Sequence, residues 1–467
     1  MKAYLPVVFV LSLAATAALI LAVATNTGQS QAAAFTVTKT ADTADGTCDS
    51  DCSLREAIIA ANAAVGADTM TVPAGTYTLS IAGTDEDASA TGDLDITDDL
   101  TITGAGAAGT IVEACDSSGG PCSGIDRVFE IWTSTVEISR VAIRNGNSGT
   151  DAGGGISNFG ELALNESTVT ANESTTNCGG GIYSDGGGGD SATITNSTIS
   201  GNSAVCSAGI GNQSPGVVTI VDSTISGNTA SGSGGGVDNR GTMTITNSTI
   251  SDNTSGLEGG GIWNGVTGDV VLTNVTVSGN TATTGGGIRD DADGVTLENT
   301  IVANSTAGGD CSGTITSSGN NLDSDGTCGL AGAGDLPSTD PLLGPLADNG
   351  GPTQTHALLD GSPAIDAGDD AACPATDQRG EARPADGDGD GTAVCDVGAF
   401  EVQPPQPGPT PTVTPTGTPT KGPSGLPPTG AGEPGAGGTE ALAVALAGIG
   451  VAILGAGGLL AVTRRRR

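Results

Sequence analysis

Asp386-Gly-Asp388-Gly-Asp390-Gly391 places three carboxylates on alternate residues with a glycine sixth, the spacing with which a calcium loop offers oxygen ligands and turns sharply. The twelfth place is Val397, where a full EF-hand loop supplies a bidentate carboxylate. Two readings follow, a calcium site completed from elsewhere and a solvated acidic turn. Arg289-Asp290-Asp291 holds an acid pair of the kind that flanks a glycosidic bond. No lysine or histidine in the repeats joins it, and adjacent acids commonly form a solvated loop edge. His356 is the single histidine of the chain. Without an evident partner it reads as a structural hydrogen-bonding residue rather than a catalytic base. No residue is therefore assigned a catalytic role, and no cofactor is required; Ca2+ is the ion of the first reading of the acidic loop.

The elements that carry these groups follow from composition and period. Glycine numbers 78, aromatics are 2%, and Asp+Glu total 52 against 15 Lys+Arg. Such a chain is either disordered or a repetitive solenoid, because few bulky groups are available for one large core. Period decides for the solenoid. The apolar residue ending each glycine cluster falls at Ile156, Ile182, Ile210, Val237, Ile262 and Ile288, and a closing asparagine recurs at Asn172, Asn202, Asn228, Asn253, Asn280 and Asn304. Within one unit Ile194 and Asn196 alternate, then Ser197 and Ile199 after a one-residue shift, which marks a corner between short strands. A unit of about 26 residues supplies three strands and their turns, so each unit is one rung of an all-β, right-handed parallel β-helix. Roughly nine or more rungs are expected from the period. Asparagines at the corners (Asn196, Asn247, Asn274, Asn299) are expected to bond their amides to neighbouring rungs, which accounts for their Asn-x-Ser/Thr context better than glycosylation does. The glycine cluster and Gly-Asn pattern resembles the repeats of polymorphic outer membrane proteins over about Val136–Asn304. That resemblance implies the same fold and an adhesive role.

Two flanking segments resemble known modules. Cys52-Ser53-Leu54-Arg55-Glu56-Ala57-Ile58, preceded by Phe35-Thr-Val-Thr and followed by Ala60-Ala-Asn62, resembles the CSLREA domain at the start of exported repeat proteins. Ser53 with Glu56 makes a capping box that opens a short helix, a polar lid for the first rung. Asp340-Pro-Leu-Leu-Gly-Pro-Leu, Asn349-Gly-Gly-Pro-Thr-Gln-Thr-His356, Gly361-Ser-Pro-Ala-Ile-Asp366, Asp377-Gln-Arg379-Gly and Cys395-Asp-Val-Gly-Ala-Phe-Glu401 together resemble the choice-of-anchor Q domain, which implies an anchoring tail downstream.

The ends agree with export. Residues 1–32 carry Lys2, an apolar stretch Leu5–Val23 and small residues suited to cleavage after Ala32; an uncleaved anchor is the alternative. Residues 403–425 form a disordered Pro/Thr-rich spacer that spans roughly 70 Å in polyproline geometry. Then come Leu426-Pro427-Pro428-Thr429-Gly430, an apolar span 441–462 and Arg464–Arg467. The span would reach about 30 Å as a transmembrane helix. The order resembles an LPXTG sorting signal, which implies transfer of Thr429 by a sortase-like transpeptidase to the cell wall. Plain membrane anchoring stays open.

In an exported chain the ten cysteines read as disulfides. Cys178 and Cys206 each lie four residues before a rung marker, so they are expected to bridge consecutive rungs. The rest pair most simply with neighbours, Cys48 with Cys52, Cys115 with Cys122, Cys311 with Cys328 and Cys373 with Cys395, although sequence alone does not settle connectivity. The domain plan is thus a signal peptide (1–32), cap and first strands (33–100), β-helix (101–335), anchor-associated domain (336–402), spacer (403–425) and sorting signal (426–467).

A formal net charge of −37 repels nucleic acid and polyanionic glycans. Cations, basic proteins and neutral sugars remain as ligands. The leading expectation is a non-enzymatic, cell-surface protein for adhesion or ligand display. A surface polysaccharide lyase or hydrolase and a structural coat are the alternatives.

Overall fold

The computed structural model describes residues 32–84, 86–115, 126–187 and 189–404. Residues 1–31 of the expected signal peptide, Cys122, the expected spacer from residue 405 on, the expected sorting residues Leu426, Pro427, Thr429 and Gly430, and the 441–462 span lie outside them. No helix among the described residues is long and apolar enough to cross a membrane.

Short strands alternate with tight corners, and each strand pairs in parallel with its counterpart one turn away. Three long sheets result, of eleven, ten and nine strands, with a fourth sheet of four strands along the middle turns. The eleven-stranded sheet runs from Ala34–Thr36 to Ile315–Gly319, the ten-stranded from Gly75–Leu79 to Leu322–Asp323, and the nine-stranded from Leu94–Ile96 to Cys311–Ser312. The repeat markers stack in register, Ile156 on Ile182, Ile210, Val237, Ile262 and Ile288. A second inward ladder joins Ile194, Ile220, Ile245 and Leu272. All of these side chains are fully buried. Branched aliphatic side chains suit this pleated, stacked core.

The corner asparagines do something other than stack. Asn196, Asn247, Asn274 and Asn299 occupy left-handed backbone, with φ of 48, 46, 52 and 48°, a region asparagine enters more easily than branched residues. Most of their mapped amide bonds reach the C-terminal module, as with Asn247 Nδ2 to Thr376 O at 2.7 Å. One rung-to-rung link exists, from Asn299 Nδ2 to Asn274 Oδ1 at 3.4 Å. The continuous amide ladder sits instead at the closing asparagines. Asn172, Asn202, Asn228 and Asn253 each donate both backbone N–H and Nδ2 to the Oδ1 of the next, ending on Asn280, at 2.9–3.0 Å. These amides are buried and satisfied, which a low-dielectric interior demands.

Helix α1 (Leu54–Ala63) caps the first turn. Ser53 Oγ accepts from Glu56 N and Glu56 Oε2 accepts from Ser53 N at 2.8 Å, closing the capping box. Leu54, Ala57, Ile58 and Ala61 face the solenoid core.

The segment from 340 to 402 folds back along the solenoid as part of the same compact unit. Its hairpin, Leu343–Ala347 with Thr355–Leu358, and the irregular chain after it cover the later strands of the ten-stranded sheet. Leu358, Ala364 and Val397 form a small core with Ile301, Ala303 and Leu322.

Disulfides join Cys48–Cys52, Cys178–Cys206, Cys311–Cys328 and Cys373–Cys395, with Cα separations of 4.4, 4.5, 4.7 and 6.6 Å. Cys178 and Cys206 are register partners in the four-stranded sheet. The expected pairing of Cys115 with Cys122 differs from these four, because it is not seen among the described residues. Cys115 is buried directly after the strand Thr110–Ala114 and is disulfide-bonded. Cys122 falls in the segment 116–125, outside the described residues, so this bridge stays an expectation drawn from sequence. The four bridges in place fit an oxidising, exported environment.

Candidate functional site

Side chains alternate along a strand, and in the short strands of the nine-stranded sheet the first and third face the core while the middle one faces out. Along the nine-stranded sheet the middle position reads Asp95, Glu130, Ser157, Tyr183, Gly211, Asp238, Trp263, Arg289 and Ser312. On the ten-stranded sheet the equivalent outward positions are nearly all threonine and serine, with Thr168, Thr198, Thr224, Thr249 and Thr276 in register. Of these two faces, the nine-stranded one carries the greater chemical variety. Both tryptophans of the chain belong to it, Trp263 in the ladder and Trp132 just beyond Ile131.

At the N-terminal end of this face a cleft of 440 Å³ opens. It is lined by seven carboxylates (Glu86, Asp87, Asp93, Asp126, Glu130, Asp151, Asp185), Arg127, and the rings of Trp132, Phe159 and Tyr183. Trp132 and Phe159 stack, with centroids 5.4 Å apart and planes 17° apart. Arg127 is engaged by Glu130, which it contacts closely, and lies 3.6 Å from Asp93 and 3.5 Å from Asp151.

The cap builds the cleft's far wall. Arg55, fully buried in α1, pairs its Nε with Asp42 Oδ1 at 2.7 Å and gives its other N–H groups to the carbonyls of Ser89, Gly92 and Asp93 at 2.8–3.0 Å. Asp42 Oδ2 also accepts from Ser80 N and Ile81 N. One ion pair therefore pins both ends of the 80–93 loop, and Ser89 in turn donates its N–H to Asp95 Oδ2 at 2.8 Å. Glu56 beside it would be raised by burial, but hydrogen bonds from Ser53 N–H, Thr43, Asp45 N–H and Lys39 hold it down to about 2.

Crowding shifts the cleft acids upward. Asp93 is raised to about 9 by burial and by Asp126 and Asp95, against the pull of Arg127. Glu130 is raised to about 7, again by burial first, with Arg127 opposing. Asp95 reaches about 6 through burial. Its Ser89 bond and the nearby Trp132 indole pull the other way, although the indole N–H closes no hydrogen bond.

A second cluster occupies the other end of the face. Arg240 lies over the Trp263 ring at 4.9 Å, and Trp263 Nε1 donates to Asp291 Oδ2 at 2.9 Å. Asp291 also pairs with Arg289. Asp290, by contrast, is buried and accepts from Asn264 Nδ2, Ala292 N and Val295 N. The two acids therefore do not form a solvated pair: Asp290 ends a buried amide run and Asp291 alone faces the surface.

The acidic loop brings Asp386 and Asp388 together with Asp366 from the preceding turn, their oxygens within 4.8 Å of one another; Asp390 is not in that group. Backbone N–H groups already engage these carboxylates, Gly389 N and Gly391 N on Asp386, Asp390 N on Asp388, and Gly387 N and Asp388 N on Asp366. His356 Nδ1 lies 2.8 Å from Gly344 O and Nε2 2.8 Å from Ser251 Oγ. Since a carbonyl only accepts, Nδ1 carries the proton and Nε2 accepts from Ser251. Sequence reasoning singled out neither Glu130, Asp95 and Asp93 nor Trp132. The residue following each rung marker is the signal that would have found the open face.

A family model described as right handed beta helix region matches residues 180–335. No curated protein sequence matches the chain. Similar solved structures include pectate lyase Pel9A (16% identity, TM-score 0.45, covering 80% of this chain and 97% of that one). Others are ORF18 of Geobacillus virus E2 (11%, 0.30, 69% and 64%) and the A-module of mannuronan C-5 epimerase AlgE4 from Azotobacter vinelandii (16%, 0.28, 63% and 92%).

Proposed function

We propose that the protein is an exported surface scaffold that binds a neutral or cationic glycan along its nine-stranded sheet and holds it without turning it over. The observation that carries this reading is the concentration of aromatic rings and carboxylates on one uncovered ladder of a chain with 2% aromatics. Flat rings offer apolar faces to sugar C–H groups, and carboxylates accept from sugar hydroxyls. Rungs about 4.8 Å apart present these contacts at a regular interval, which suits an extended polymer. The cleft's one basic lining residue, Arg127, is already engaged by carboxylates.

A glycan array on the full chain, with reducing-end and unsaturated-product assays on the bound sugars, tests this. Binding that falls at least tenfold in Trp132→Ala, with no product, is the expected result. Product formation lost in Glu130→Gln would replace the reading with a polysaccharide-active enzyme, and undiminished binding in Trp132→Ala would remove the cleft from it.

We further propose that the tail attaches the scaffold to the cell wall through Thr429, supported by Leu426–Gly430, the 441–462 span and the arginine tail in that order. Wall digests should yield a peptide ending at Thr429, absent in Thr429→Ala. Full-length protein in membranes only would favour plain anchoring.

A further inference from the structure

The cleft carries an electrostatic problem that its own residues leave unsolved. Asp95 and Glu130 are register partners on adjacent parallel strands, an arrangement in which like charges repel. Asp87 on the 80–93 loop joins them, and one carboxylate oxygen from each of the three lies within 4.8 Å of the others. Asp95 is fully buried, and its Oδ1 has no hydrogen-bond partner. A buried carboxylate oxygen left bare is costly unless something positive meets it. Arg127 does not meet it, being held by Glu130 and Asp151, and the Trp132 indole N–H lies beside Asp95 without closing a hydrogen bond to it.

We infer that Asp87, Asp95 and Glu130 form a binding site for a divalent cation, with Ca2+ as the ion it fits. The donors are all hard carboxylate oxygens, the class calcium takes. Calcium holds carboxylate oxygens at about 2.4 Å, so an ion seated between the three would draw them slightly closer together than this separation. The site is open on the cleft side, because Asp87 is exposed and Glu130 lines the cleft. A bound ion would therefore keep coordination positions for water or for a ligand's oxygen. The contrast with Asp366, Asp386 and Asp388 is direct: there the mapped carboxylate oxygens are taken by backbone N–H groups. This inference does not rest on the glycan reading.

Terbium stands in for calcium and is sensitised by a nearby tryptophan, and Trp132 adjoins Asp95. The full chain should give saturable tryptophan-sensitised terbium emission that Ca2+ displaces. Glu130→Gln and the exposed Asp87→Asn should each weaken Ca2+ binding at least about tenfold by calorimetry, with circular dichroism and melting confirming that the variants fold. Trp132→Phe should abolish emission while Ca2+ affinity remains. Asp386→Asn with Asp388→Asn should leave emission unchanged. Emission that survives Glu130→Gln and Asp87→Asn, emission lost instead in the Asp386/Asp388 double variant, or absence of Ca2+ binding at millimolar concentrations would overturn the assignment.

Discussion

The ten-stranded and nine-stranded sheets of this solenoid share a core and a period, yet their outer faces have opposite fates. On the first, threonines and serines repeat almost unchanged from turn to turn, and the chain's own C-terminal module reads them. Gln378 shows how. Its Nε2 donates to Thr224 Oγ1 at 3.0 Å and its Oε1 accepts from Thr249 Oγ1 at 2.6 Å, so one side chain spans two successive rungs. On the second, no two neighbouring outward residues are the same, and the face stays open. A uniform ladder serves as a docking track because any rung offers the same bond. A varied ladder stores a particular arrangement of chemistry and stays free to meet a ligand.

That division can be broken from either side. The largest effect is expected for Arg55→Met, which leaves Asp42 buried and unpaired. Chemical denaturation should report a loss of about 3–5 kcal/mol, and the 80–93 wall should loosen so that ligand binding on the nine-stranded face disappears. Gln378→Leu acts on the other face. With the hydroxyl of Thr249 and the carbonyls around it stranded, about 2–3 kcal/mol should be lost. Limited proteolysis should then release the module, while glycan binding persists. Loss of binding in Gln378→Leu would show that the two faces are not independent.

Acid should weaken the docked face selectively. Burial holds His356 below its ordinary value, against the opposing pull of the Gly344 bond and the Asp252 charge. Ser251 donates toward Nε2, with Asp252 Oδ2 3.1 Å from the same hydroxyl. The folded chain therefore takes up a proton later than the unfolded one as pH falls. The His356 contribution to stability should be level above roughly pH 6.5 and decline below it, a contribution read as the difference between the native chain and His356→Gln in pH-dependent melts. The smallest stability effect is expected for Trp263→Ala, within about 1 kcal/mol because the ring is only partly buried and packs against Arg240. Its glycan affinity should still fall about fivefold, sharpening the claim that the open face binds along its length.

Much of the fold was legible because a solenoid repeats its argument: the markers from Ile156 to Ile288 predict the register that the strands adopt. The capping box at Ser53 and Glu56 was legible for a local reason, being set within four residues. The roles of the asparagines were half legible. Periodicity located both sets, but only backbone conformation tells a left-handed corner at Asn247 from a stacked amide at Asn228. The cleft was least legible. Its walls come from the 80–93 loop, held by Arg55 and Asp42, and from two early turns whose spacing differs from the later repeats, so no local pattern joined Asp95 to Glu130. Asp290 was misplaced for a related reason, since adjacency in sequence says nothing about which of two acids turns into the core.

Hydrogen exchange of the full chain, with and without the tightest glycan from the array, tests the division of the two faces most directly. Protection is predicted at 94–96, 129–132, 156–159 and 182–184, with the exposed threonine strands at 168–170 and 198–200 unchanged. Protection confined to those threonine strands, or spread equally over both faces, would contradict the account.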